Sequence, residues 1–160
     1  MTPYALGDDE AQLLDQAGLP AEPGVDIAAA TDSDARMREL LSSAFPVGEV
    51  ANGLSITTSC VRRRRRRRAL WAFDAGRSWL FPRSQFEVVR GHPVRQIRGL
   101  DQVLQALPPN LHPLAVDGFL HTPQLDLSID APTTPLHWLR RGGDASRAVG
   151  SAATADWYGR

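Results

Sequence analysis

The sequence predicts a mainly α fold with one small β-hairpin. Three observations predict it. Apolar residues recur at helical spacing in several short segments punctuated by Pro and Gly. Two strand-like runs, Leu70-Trp71-Ala72-Phe73 and Ser78-Trp79-Leu80-Phe81, flank turn chemistry at Asp74-Ala75-Gly76-Arg77. Seven consecutive arginines, Arg62 to Arg68, stand between a short helical pattern and that hairpin. A length of 160 residues bounds the chain to one ordinary domain or two small ones.

Taken in order, residues 1–31 read as an acidic, loosely ordered lead in which Pro20, Pro23 and Gly24 interrupt any helix around Leu13 and Leu14. Asp32 or Ser33 caps a helix through Ser43, with Ala35, Met37, Leu40, Leu41 and Ala44 on its apolar side. Phe45-Pro46 ends it, because the residue before Pro avoids the helical region. Val47 to Asn52 is a short second helix stopped by Gly53, and Thr57 or Thr58 caps a third that runs into the arginines. Two short helices separated by Gly53-Leu54-Ser55-Ile56 have helix-turn-helix dimensions, and the hairpin sits in the place of a wing. Pro82 stops the hairpin and Phe86 returns to the core.

Glu87 to Gly99 reads as a basic connector, which sets domains at 32–90 and 100–160. Leu100, Val103, Leu104 and Leu107 mark one helix, closed by Pro108-Pro109. Asn110 or His112 leads the next, with Leu114, Val116, Phe119 and Leu120 apolar, until Thr122-Pro123. Gln124 to Thr133 reads as a loop. Thr134-Pro135 opens a helix through Trp138-Leu139 that Gly142-Gly143 ends, and Asp144 caps the last one.

The formal net charge of zero conceals a layout. Residues 1–49 carry ten acids against Arg36 and Arg38, a net of −8; residues 50–100 carry twelve Arg against Asp74 and Glu87, a net of +10. Residues 101–160 carry six acids against four Arg, a net of −2. Such segregation points to a partner. The acidic lead is a hypothetical shield for the arginines, and unchanged low-salt DNA affinity after deletion of residues 1–31 rules that out. No run approaches the roughly 18 apolar residues of a membrane span, and Met1-Thr2-Pro3-Tyr4 lacks a secretory leader's pattern. One cysteine, Cys60, forms no internal disulfide, and no Cys/His set has zinc spacing. A cytoplasmic protein without metal or cofactor is expected.

The arginine run carries the strongest chemical signal. Seven residues span about two helical turns, so some guanidiniums face outward and others lie along the domain. Guanidinium groups neutralise phosphates and read guanine edges. Thr57, Thr58, Ser59, Arg62, Arg63, Arg64, Arg65 and Arg66 are the candidate DNA contacts, with Arg77 at the wing tip. Replacing Arg62 to Arg65 by Ala is expected to abolish DNA binding. Catalytic signals are weak: His92, His112, His121 and His137 have neither metal spacing nor a consistent acidic neighbour, and Cys60 suits a small packed residue. No catalytic residue is expected. An arginine-rich RNA binder stays open as an alternative.

Phe119-Leu120, Thr122-Pro123-Gln124, Leu125, Thr134-Pro135-Leu136-His137-Trp138-Leu139 and Gly142-Gly143-Asp144 together resemble the toxin-binding domain of MbcA/ParS/Xre-type antitoxins. Ile129-Asp130-Ala131-Pro132 stands where that family usually has a loop Gly. Val47 to Phe86 resembles excisionase-like or MerR-like winged helix domains through Glu49-Val50-Ala51, Val61-Arg62 and the hairpin. The resemblance implies a bacterial, non-enzymatic antitoxin that represses its own operator as a homodimer. It also implies a toxin partner, a RES-domain NAD-consuming enzyme or, second, a PIN-type ribonuclease. Position assigns Trp157, Tyr158 and Arg160 to the toxin surface. A stand-alone regulator or excisionase-like protein without a toxin is the other open reading.

Overall fold

The computed structural model describes residues 23–155 and 157. The chain divides between Ala35 and Arg36 into two units, and the second holds nearly all of the described elements. Helix predominates over strand among the described residues, as the short apolar-periodic segments predict. None of these helices is long and apolar enough to cross a membrane.

Helix α1 spans Pro23–Ser43. It begins well before Asp32, correcting the expected start. Proline suits a first turn, and Ala28-Ala29-Ala30 is a run of strong helix formers that carries the segment onward. Strand β1 (Phe45–Pro46) follows, with Pro46 extended at φ −71, ψ 162 as the N-cap of α2 (Val47–Leu54). The second helix therefore passes through Gly53 instead of stopping there, and ends at Ser55 in the left-handed region. Gly53 has a different reason: a Cβ there would lie 1.8 Å from the Pro93 carbonyl oxygen. Ser55-Ile56-Thr57 joins α2 to α3 (Thr58–Arg66).

Strands β2 (Phe73–Asp74) and β3 (Trp79–Phe81) form the hairpin, and β1 adds to it in the order β1-β3-β2, all antiparallel. The expected first strand, Leu70 to Phe73, is mostly not a strand. Gln85 explains why. Its buried side-chain amide accepts from Trp71 N–H at 2.9 Å and donates to the Trp71 carbonyl at 2.6 Å. A side chain satisfies the backbone groups that a ladder would otherwise claim.

Glu87 to Gly99 is not a plain connector. After a single 3-10 turn, Arg83–Gln85, strands β4 (Phe86–Val89) and β5 (His92–Gln96) form a second hairpin. Its turn places Arg90 and Gly91 at φ 52 and 81, the pairing a tight hairpin needs. Helices α4 (Leu100–Ala106) and α5 (Pro113–His121) follow. The expected loop over 124–133 is a third hairpin, β6 (Gln124–Ser128) with β7 (Pro132–Thr133), irregular between its two end pairs. Helices α6 (Pro135–Arg140) and α7 (Ala145–Thr154) close the described chain.

Two apolar clusters organise the second unit. The smaller contains Phe45, Val50, Ala51, Val61, Leu70, Phe81 and Phe86, so the interior faces of α2 and α3 close over the β1-β3 pair. The larger centres on Leu100, Val103, Leu120, Leu127 and Trp138, and draws in Leu40, Trp71 and Phe73 from far upstream.

Candidate nucleic-acid interface

Helix α3 is set by its first turn. The Thr57 hydroxyl accepts from the Cys60 N–H at 3.1 Å, satisfying an orphan donor of the helix start. Val61, fully buried, fixes which side faces inward. One helical step further on the same side come Arg64, Arg65 and Arg68, all half-buried. The opposite side presents Thr58, Ser59, Arg62, Arg63 and Arg66, followed by Arg67 at the C-cap, all exposed. Thr57 is exposed as well.

The seven arginines therefore divide into two groups. Arg65 lays its guanidinium carbon 3.8 Å from the Trp79 ring centroid, a cation–π contact across to β3. Its Nε is buried without a hydrogen-bond partner. Arg68, at φ 62, turns back and donates to the Leu107 carbonyl and, at 3.4 Å, to that of Leu104. Leu104 lies in the last turn of α4, where its carbonyl also accepts from the Leu107 N–H at 3.3 Å, and Leu107 is the extended C-cap residue. Gln105 reaches the Arg67 carbonyl at 3.4 Å from the same helix. The inward arginines fix the end of α3, while the outward ones face solvent.

Among the described residues the outward group pairs with no carboxylate within 4 Å. Among the described residues, Arg95 alone of the arginines pairs with a carboxylate within 4 Å, Glu87 at 2.5 Å. Arg77 is exposed in the β2–β3 turn, whose shape comes from Asp74 accepting the Gly76 N–H at 2.8 Å and Ala75 donating to Ser78 at 2.9 Å. Trp79 remains 38% exposed on the same hairpin. Cys60 is half-buried, 3.6 Å from an Arg63 nitrogen.

In the C-terminal half, the residues singled out by motif cap and pack. Thr134 caps α6 through the His137 N–H at 3.1 Å, and Asp144 caps α7 through Ser146 at 2.9 Å. The Trp138 indole donates to the Asp144 carbonyl at 2.9 Å. Gly143 is required by that indole, since a Cβ would sit 2.4 Å from the ring. Trp157 is half-buried; its ring centroid lies 5.2 Å from that of Phe119 and its N–H donates to Ala152 at 3.1 Å. Tyr158 and Arg160 lie outside the described residues.

His121 has an acidic partner after all. Its Nδ1 lies 3.2 Å from an Asp117 carboxylate oxygen, one turn back on α5. The hydrogen bond to Asp117 raises its pKa above 6.5, against opposing desolvation and the Arg140 charge. The i, i+4 spacing of Asp117 and His121 is the signal that sequence offers for this pair. Gln85, the buried polar hub, has no sequence signal of its own, because a Gln beside Pro and Phe reads as a loop. No three His, Cys, Asp or Glu among the described residues gather as a metal set. Compared with known protein families, curated proteins and solved structures, the chain matches none.

Proposed function

We propose that this chain binds duplex DNA through the outer side of α3, with the β2–β3 hairpin as a wing that brings Arg77 to the backbone. One observation carries the reading: Arg62, Arg63, Arg66 and Arg67 stand exposed on a capped helix without a carboxylate within 4 Å among the described residues. Four guanidiniums on phosphates give a log K against log salt slope of about −4. Fluorescence anisotropy of labelled duplexes across salt concentrations measures it. A flat salt response, or stronger binding to single-stranded RNA, overturns the proposal.

The resemblance of Phe119 to Asp144 extends the reading to a cytoplasmic, non-enzymatic antitoxin. In that reading the N-terminal part represses its operator as a dimer and the C-terminal part binds a toxin. Leu125 on β6 and Ile129 just after it, 85% and 49% exposed, support a protein partner there, since two large aliphatics stand open to solvent within five residues. Co-expression with the product of the adjacent gene is the test. Co-purification supports the antitoxin reading; a chain that purifies alone beside a harmless neighbour assigns it as a stand-alone regulator.

A further inference from the structure

A cavity of 490 Å³ opens beneath the inward side of α3. Its walls include Trp71, Phe73 and Trp79 from around the hairpin, Leu107 and Leu111 from the α4–α5 region, and Arg65. The volume falls within the range of small-molecule sites, which combine apolar walls with a few directed polar groups. Arg65 supplies such a group. Its guanidinium forms no ion pair within 4 Å among the described residues, while its Nε is shut off from solvent, so the terminal nitrogens are the ones left to meet an acceptor in the cavity. Its guanidinium lies on Trp79 at 3.8 Å, held ready by the ring. The other charged groups on the walls do not neutralise it. Arg68 is engaged with the Leu104 and Leu107 carbonyls, and Asp74 forms no ion pair with Arg65 within 4 Å while accepting from Gly76.

We infer that this cavity is a binding site for an aromatic carboxylate, its ring between the indole and aliphatic walls and its carboxylate on the Arg65 guanidinium. Aromatic walls select a planar apolar body, and a half-buried cation without an ion-pair partner selects an anion. The site stands independently of DNA binding, because none of the exposed arginines of α3 lines it.

The test is calorimetric titration of the full chain with 2-naphthoate and with uncharged 2-naphthalenemethanol. Saturable 1:1 binding of the carboxylate is expected, with the alcohol at least about tenfold weaker, as loss of a charge-assisted hydrogen bond implies. Arg65→Met keeps a stem on Trp79 and removes the charge; it is expected to erase the preference for the carboxylate. Arg141→Met, an equal charge change on an exposed residue away from the cavity, leaves the preference intact. Failure of the carboxylate to saturate, equal affinity for the alcohol, or equal loss in the Arg141 variant overturns the proposal. If Arg65→Met does not fold, the two ligands on the unaltered chain still decide it.

Discussion

The two clusters of the second unit bury similar kinds of residue but present opposite surfaces. Around Val50, Val61, Phe81 and Phe86, the chain covers a small core with exposed arginines that pair with no carboxylate among the described residues, and places a fully buried Gln beside it. Around Leu100, Leu120 and Trp138, a larger core is closed by capped helices and an indole against a glycine, under a surface of nearly balanced charge. The first region carries its chemistry on the outside and its polar bond inside. The second has a largely apolar interior, and its most exposed large aliphatics are Leu125 on β6 and Ile129 just after it. A region built like the first tolerates surface change and resists change at one buried amide.

The largest expected effect separates these surfaces. Replacing Arg62, Arg63, Arg66 and Arg67 together by Ala should move the salt slope toward zero by about 3 to 4 and weaken DNA binding roughly a thousandfold near 0.1 M salt. Urea midpoints should change little, since exposed substitutions cost about 0.5 kcal/mol or less each. Arg64 and Arg65 are left in place because they turn inward. An equal loss from Arg64 and Arg65 alone contradicts the division of the run.

Gln85→Ala is next. It strands the Trp71 N–H and carbonyl, each costing about 1 to 3 kcal/mol when buried and unpaired. Chemical denaturation should show a drop of that order, with DNA binding falling only as the folded fraction falls. In the second region, Gly143→Ala forces a methyl onto the Trp138 ring and should cost about 1 to 3 kcal/mol by overpacking. Near-ultraviolet circular dichroism of the indole reports it.

The smallest effect concerns pH. Asp117→Asn should lower the His121 pKa toward its ordinary value, read from the imidazole carbon-bound protons by NMR titration. The folded pKa is raised, so the pair stabilises the fold fully below about pH 6.5. That contribution is lost as pH rises through the folded value. The stability gap between the wild type and Asp117→Asn should therefore close on the alkaline side. A gap that widens there contradicts the assignment.

Much of the helical framework is legible in the sequence because its signals are local. Thr57, Thr134 and Asp144 cap the helices their positions announce, since a cap needs only a side-chain oxygen and the next turn of backbone. The hairpins are less legible. β4–β5 contains Pro93 in a segment rich in Arg, and its partner relation to α2 rests on a backbone approach at Gly53 that no alternation reveals. β6–β7 pairs only at its two ends, too little for a period to show. Helix α1 starts earlier than its apolar pattern announces, because Pro23, a breaker inside a helix, serves here as a first residue. At the candidate interface the run itself is legible, but its division is not. Which arginines turn inward depends on Val61 and Trp79, and the latter is distant in sequence.

Gln85 ties more than one strand. Its side-chain amide also donates to the Pro82 carbonyl at 3.2 Å, and its own carbonyl accepts from the Ile97 N–H at 2.9 Å. Three stretches, before the hairpin, after it and at the end of the next one, meet at a single residue. Mechanically, the β2–β3 arm is clamped at its root and free at its tip. Lengthening the turn between Ala75 and Ser78 therefore changes the arm's reach without loosening its mount. In hydrogen exchange the Trp71 amide should behave as part of the slowest-opening core, while the Gly76 amide, a few residues away, exchanges with the surface.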